Sequence, residues 1–478
     1  MTVATVADVV ADGFARAGVA RVFDATGGAS PLAAAARGRG LPVVAAGSAE
    51  AACVMAAVTG DLTDAPGAAL VSLHDGVASV LDAAAHAAGA QAALLVVVTP
   101  HDDAALLAPA VKGVVAVDVV SAAHGIAHAS QLALADPRGP VLLTLDDAVA
   151  VRPAVPVATA CRPAPPPAPP SETLDAAGAA VAAAARPVVL AGRQCDAAVA
   201  PWLRALAEAV PAPVLTTPLA RGALPEPHPL ALGVLGAPGA AALLERASLV
   251  IALGVNDAEL WPGAVPAGRP VIRLARQPSS APPQAAVEVT GDLGLILEEL
   301  APRLRGREGA DWDVAELDRF KRAARAPGRP GFTARRVVEL VRDATPPGTV
   351  ATADVPAGVW WQAVAPRQLL VAPPGAARGF ALLAAVAARL AYPERPVVGF
   401  TTPAGLGRAP AALPAPAPRA ASLVLVVLAA PDDASAARTA AAVGWRCLEA
   451  REEAAFAFAL ERALQAREPT VVVVRVVR

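Results

Sequence analysis

Apolar residues along this chain fall in short, nearly unbroken runs of Val, Leu, Ile and Ala, separated by Ala-rich stretches of helical character. "VARVFDA", "LPVVAAG", "GAALVSL", "ALLVVVT" and "GPVLLTL" come first, then "RPVVLAG", "APVLTTP", "SLVIALG" and "RPVIRLA". "GTVATAD", "QLLVAPP", "RPVVGFT", "SLVLVVLAA" and "PTVVVVRVV" close the series. A strand buried on both faces has no reason to alternate polar with apolar, so such runs predict parallel sheets covered by helices. Their regular alternation with helical stretches predicts an α/β chain of doubly wound parallel sheets. Sites in such sheets form at the C-terminal strand ends and between domains.

Two breaks divide the pattern. "CRPAPPPAPPSE" (161–172) is a proline-rich, extended connector, and the charged stretch 305–331 ends in Pro and Gly. They predict three domains, 1–160, 172–305 and 330–478. At 478 residues and 55% hydrophobic the chain can fill several cores. A formal net charge of −2, with no basic stripe, argues against nucleic acid or an anionic membrane surface as partner. The opening "MTVATVADVVADGFARAG" reads as an amphipathic helix with acidic residues, not a signal peptide. No apolar run free of charge and proline reaches the ~18–20 residues of a membrane span. The expectation is a soluble, cytoplasmic protein whose scattered cysteines, Cys53, Cys161, Cys195 and Cys447, are buried free thiols.

Several residues sit where chemistry is possible. Glu50, in "GSAEAACVMAA", opens a helix among apolar neighbours, where a partly desolvated carboxyl can share a proton with a nitrogen base. The plainer reading is a first-turn glutamate favoured by the helix dipole. His74, in "VSLHDGVAS", follows a strand and suits proton transfer, or simply a hydrogen-bonded strand end. Gly27 and Gly28 form a turn after a strand but lack a full phosphate-loop signature. Gly379 opens the helical stretch "GFALLAAVAARL", whose N-terminus can hold an anion or merely pack. His124 and His128 lie four apart without an acidic or cysteine partner, so zinc is not expected.

Taken together, these stretches resemble the thiamine diphosphate (TPP)-dependent decarboxylase and carboligase family, which includes acetolactate synthase and benzoylformate decarboxylase. "VFDATGGASPLAAAARGRGLPVVAAGSAEAACVMAAVTGDLT" is similar to the family's pyrimidine-binding domain, with Glu50 on its catalytic glutamate. His74 falls where the benzoylformate decarboxylase branch has an active-site histidine. "RPVVLAGRQCDAA" through "HPLALGVLG" resembles the middle domain, and "GFALLAAVAARLAYPERPVV" the start of the diphosphate-binding domain. The resemblance implies a 2-keto acid decarboxylase or carboligase in which the glutamate protonates the aminopyrimidine and the coenzyme supplies the electron sink. It also implies Mg2+ held by a GDG aspartate and an asparagine of an NN pair. The site would lie between subunits of a homodimer or homotetramer.

The match also carries departures. Followed without a gap, the GDG triplet falls on Thr402, Pro403 and Ala404, and the NN pair on Ala429 and Ala430. Neither metal-ligating side chain is present, and the segment between them, "RAPAALPAPAPRA", is studded with helix-breaking prolines. The bulky residue that bends the coenzyme falls on or near Arg378, which would invade the vacant space or offer a charge to an anion. Gly27, Gly28, Arg378, Gly379 and Thr402 remain the coenzyme-binding candidates, and no metal ligand is expected. Asp432 and Asp433, with Thr401 and Thr402, could rescue a cation or simply cap local structure. The sequence therefore predicts a divergent member in which standard Mg2+–thiamine diphosphate binding is weak or absent. The alternatives are an active 2-keto acid lyase or carboligase with altered anchoring, and a nucleotide held in the middle domain.

Overall fold

A computed structural model describes residues 3–28, 30–73, 76–100, 102–237, 239–279, 285–306, 309–324, 331–372, 379–408, 421–433 and 435–477. Among these are three six-stranded sheets with parallel pairing, in agreement with the α/β fold expected. The first holds β1 (Val22–Asp24), β2 (Val43–Ala45), β3 (Gly67–Val71), β4 (Leu94–Val98), β5 (Val114–Ala116) and β6 (Pro140–Thr144), ordered β2-β1-β3-β4-β6-β5. The second holds β7 (Pro187–Ala191), β8 (Val214–Thr216), β9 (Ala231–Val234), β10 (Leu249–Leu253), β11 (Val271–Ala275) and β12 (Val287–Thr290), ordered β12-β11-β10-β7-β8-β9. The third holds β13 (Val350–Ala353), β14 (Leu369–Val371), β15 (Val397–Thr401), β16 (Leu423–Ala429), β17 (Arg446–Ala450) and β18 (Thr470–Arg475), ordered β14-β13-β15-β16-β18-β17.

The chain forms two compact units. One comprises Met1–Pro163, Gly331–Trp360 and Leu370–Arg478 and carries the first and third sheets. The other comprises Ala164–Pro330 and the short return Trp361–Leu369. Within the first unit, two helices that are apolar nearly all round explain their own burial, since a helix without a polar face belongs in a core. Ala49–Thr63 buries every residue from Ala51 to Gly60, and Phe380–Ala391 buries Phe380 to Arg389. Both contribute to one continuous apolar cluster that draws residues from the first and third sheets. A small residue lets the first of these helices lie directly on β3: a Cβ on Gly67 would lie 1.9 Å from the carbonyl oxygen of Ala56.

In the second unit the return segment is anchored by Trp361, which is 1% exposed and whose carbonyl accepts a bond from the Arg221 guanidinium. Cys53, Cys161 and Cys195 are buried as expected, but Cys447 is exposed, because edge strand β17 has only one paired side and turns alternate residues outward. No helix among the described residues is long and apolar enough to cross a membrane.

Candidate functional site

The candidate residues of the first sheet gather at its C-terminal edge. β1 ends in buried Asp24, whose Oδ1 accepts the Thr26 N–H at 2.8 Å and the Thr26 hydroxyl at 2.6 Å. The turn continues through Gly27 and Gly28 at φ +77° and +86°, a left-handed conformation that glycine adopts without strain. A cavity of about 200 Å3 opens beside this turn, with Thr26, Ser30, Ser72, Thr99 and Asp147 as its polar lining. Glu50 lies in the first turn of Ala49–Thr63, a helix capped by Ser48, whose hydroxyl oxygen accepts the Ala51 N–H at 3.1 Å. Its carboxylate is 18% exposed and sits 3.5 Å from the guanidinium of Arg408. One turn further along, burial and then the Glu50 charge push the Cys53 thiol up to about 12, so it stays protonated. His74 and Arg378 lie outside the described residues.

The third sheet brings a second set together. Gly379 caps the Phe380–Ala391 helix at φ +98°, and a Cβ there would sit 3.1 Å from the Gly405 carbonyl and 3.2 Å from Arg408 Cβ. Its N–H donates to Asp354 Oδ2 at 2.8 Å. Asp354 follows β13, and the same oxygen accepts the hydroxyl of buried Thr401 at 3.1 Å. Its other oxygen, Oδ1, is buried and has no hydrogen-bond partner among the described residues. Desolvation raises the Asp354 pKa, and the bonds from Gly379 and Thr401 oppose that rise. Gly405 must be small, since a Cβ would lie 2.3 Å from Thr401 Oγ1 and 2.9 Å from Asp354 Oδ2. Thr402 caps the short helix Pro403–Leu406, accepting the Gly405 N–H at 3.2 Å.

At the other side of this edge, β16 ends in Ala429, 1% exposed and paired with Arg475 of β18. Asp433 spends one carboxylate oxygen on the N–H and hydroxyl of Ser435, at 2.9 and 2.6 Å. That is the local capping role weighed for it against cation binding. The prolines of 409–418 lie outside the described residues.

The second sheet reverses its strand order between β7 and β10, the place where open α/β sheets receive nucleotides. Here the loops meet closely: a Cβ on Gly192 would lie 2.4 Å from the Val255 Cα. Glu259, 6% exposed, accepts the N–H groups of Arg193 and Asn256, both at 2.8 Å, and the Thr217 hydroxyl. Burial raises its pKa against those bonds. These backbone donors of the crevice are thus engaged by a side chain of the protein itself.

A family model for the central domain of thiamine pyrophosphate enzymes matches residues 174–300. The chain is 30% identical over 245 residues to the acetolactate synthase isozyme 1 large subunit of Escherichia coli (strain K12), covering 48% of this chain and 43% of that protein. It is 32% identical over 241 residues to the "Probable 2-ketoarginine decarboxylase AruI" of Pseudomonas aeruginosa, covering 47% and 42%. The matches thus span under half the length of these curated relatives. A crystal structure of a "putative thiamin diphosphate-dependent enzyme" from Mycobacterium smegmatis superposes over 100% of both chains with a TM-score of 0.78 at 22% identity, a likeness of fold.

Residues 174–300 match the central domain of the thiamine pyrophosphate enzymes.

A resemblance to that family implies thiamine diphosphate and Mg2+, so the fit of both can be tested on the residues present. Mg2+ demands a near-octahedral shell of oxygens. Pro403 and Ala429 provide no side-chain oxygen, and no cluster of three or more His, Cys, Asp or Glu suited to a metal occurs among the described residues. At the helix N-terminus where a diphosphate would be expected, the first N–H is already bonded to the Asp354 carboxylate. These residues do not fit the metal–diphosphate end of the coenzyme. Sequence reasoning missed Asp354, Arg408 and Arg475. A carboxylate directly after the strand "GTVATAD" and an arginine inside "VVVVRVV" were signals for two of them.

Proposed function

We propose that this chain is a divergent member of the family that keeps the fold and the Glu50 position but does not hold Mg2+–thiamine diphosphate in the family's manner. One observation carries the reading. Asp354 Oδ2 occupies the Gly379 N–H, so a carboxyl group of the protein itself stands at the helix start that the resemblance assigns to the coenzyme's anion. Without a divalent cation between them, two like charges in a partly desolvated place repel, and apolar contacts do not replace that lost anchoring. Pro403 and Ala429 support the same conclusion by withholding cation ligands. The chain then serves as a pseudoenzyme, as a regulatory or partner subunit, or as an enzyme with repurposed chemistry, in each case within a homo-oligomer.

A second reading, an active lyase or carboligase on 2-keto acids, is favoured by Glu50, which lies at a helix start and is mostly buried, and by the retention of His74 in the sequence. Isothermal titration of the protein with thiamine diphosphate plus Mg2+ separates the two. The first reading expects no saturable heat up to millimolar coenzyme. Tight, Mg2+-dependent binding overturns it, and loss of any turnover in Glu50→Gln would then establish the second.

A further inference from the structure

Arg475 closes β18 inside the run "VVVVRVV", a position that a parallel sheet would normally fill with an apolar residue. Its guanidinium is mostly buried, with the residue 9% exposed. Ladder pairing sets it beside Ala429, the position that corresponds to the family's second metal-ligating side chain. Paired residues on neighbouring strands project to the same face of a sheet. From there Nη1 donates to the Ala430 carbonyl at 3.3 Å and to the Asp433 carbonyl, and Nε donates to Glu449 Oε1 at 2.9 Å. One cationic group thus gathers two backbone oxygens of the loop after β16 and a carboxylate from β17.

We propose that Arg475 is the resident cation of this strand end, taking over the ordering of the 430–433 loop that a divalent ion would otherwise perform. A guanidinium suits that role because it is always charged and its planar fork of donors can hold several oxygens at once. Unlike Mg2+ it cannot dissociate or be chelated. The inference rests on the reading that the site has given up its metal, and it adds what replaced that metal.

The experiment is hydrogen exchange at the amides of Ala430, Asp432 and Asp433 in the full chain, in EDTA and in 10 mM MgCl2, for the native protein and for Arg475→Met. The native loop should exchange at the same rate in both buffers. Arg475→Met should exchange about tenfold faster or more, as expected for losing bonds to a charged donor, and Mg2+ should not restore protection. If the Met variant does not fold, Arg475→Lys keeps a charge but loses the planar fork, and should show the same direction of change. Faster native exchange in EDTA overturns the proposal, as does unchanged exchange in the variant that folds. Coenzyme binding with a chelator-insensitive loop would refute the functional reading and leave Arg475 in its assigned role. A chelator-sensitive loop in a protein that binds no coenzyme would do the reverse.

Discussion

Asp354→Asn isolates the cost of keeping a carboxylate at the start of the Phe380–Ala391 helix. In the native protein Oδ2 accepts from Gly379 N–H at 2.8 Å and from Thr401 at 3.1 Å, while Oδ1 is buried without a partner among the described residues. Burial raises the pKa, so the folded chain holds this proton more firmly than the unfolded chain does. The group's contribution to stability is therefore full below the ordinary aspartate value of ~3.9 and is lost as pH rises through the folded-state value. Each unit of elevation makes the ionised form a liability of about 1.4 kcal/mol at neutral pH. Asparagine keeps an oxygen for both donors and has no charge to desolvate. Urea unfolding from pH 4 to 8, followed by circular dichroism, should show the Asn variant gaining on the native protein as pH rises. The gain should begin above the ordinary aspartate value and level off once the pH passes the folded-state value. Asp354→Ala instead strands the Gly379 N–H and should lose about 1–3 kcal/mol at every pH. A gap between native and Asn proteins that stays constant with pH would refute the argument, because the carboxylate would then carry no desolvation cost.

Three further outcomes follow from the same contacts. His86 is 5% exposed against the Phe380 ring at 4.6 Å, and burial pulls its pKa down to about 4. Its share of stability is thus full above ~6.5 and is lost as pH falls towards 4, by about 3 kcal/mol. His86→Leu should flatten that acid limb, and an unchanged limb in acid-unfolding curves would assign it elsewhere. Glu259→Ala leaves the Arg193 and Asn256 N–H groups and the Thr217 hydroxyl without this acceptor, a loss of about 4 kcal/mol. Four of the six tryptophans, Trp202, Trp261, Trp312 and Trp361, belong to the unit that holds Glu259, so fluorescence-monitored unfolding in a Trp360→Phe, Trp445→Phe background reads it, and a shift under about 1 kcal/mol counts against the contacts. Arg408→Ala should change stability by less than about 1 kcal/mol, because Arg408 is 48% exposed and its pair with Glu50 is screened by salt. A drop above about 2 kcal/mol in low-salt melts would show a stronger role.

What was legible in the sequence was the interior of each sheet. The runs at β3, β4, β7, β10, β15, β16 and β18 are continuous because helices cover both faces, and burial there is nearly complete. The strands without a signal were β5, β9, β12 and β17, and every one of them is an edge strand. Edges are half solvated, so "RCLEA" and "VEVT" mix polar with apolar residues and read as ordinary loop or helix sequence. The site divided in the same way. Gly27 and Gly28 could be placed because they closely follow a strand, and Glu50 and Gly379 because each stands at the start of an apolar helix. Arg408 could not, since its approach to Glu50 depends on how the first and third sheets pack within one unit, and no local pattern encodes that.

The three residues missed from sequence share a physical logic that the two lost ligands alone do not have. Deleting a metal and its anion from a strand-end site leaves carbonyls without a cation, a helix N-terminus without an acceptor and a buried glutamate without a nitrogen base, each costly if left unpaired. Here the carbonyls of Ala430 and Asp433 meet Arg475, the Gly379 N–H meets Asp354, and Glu50 meets Arg408. Each replacement carries the sign of charge its neighbour calls for. On the reading proposed above, a chain that merely lacked ligands at positions 403 and 429 would need none of them. Together they favour a site rebuilt to be stable while empty. The position they leave open is Asp354 Oδ1, a buried oxygen still lacking a donor among the described residues.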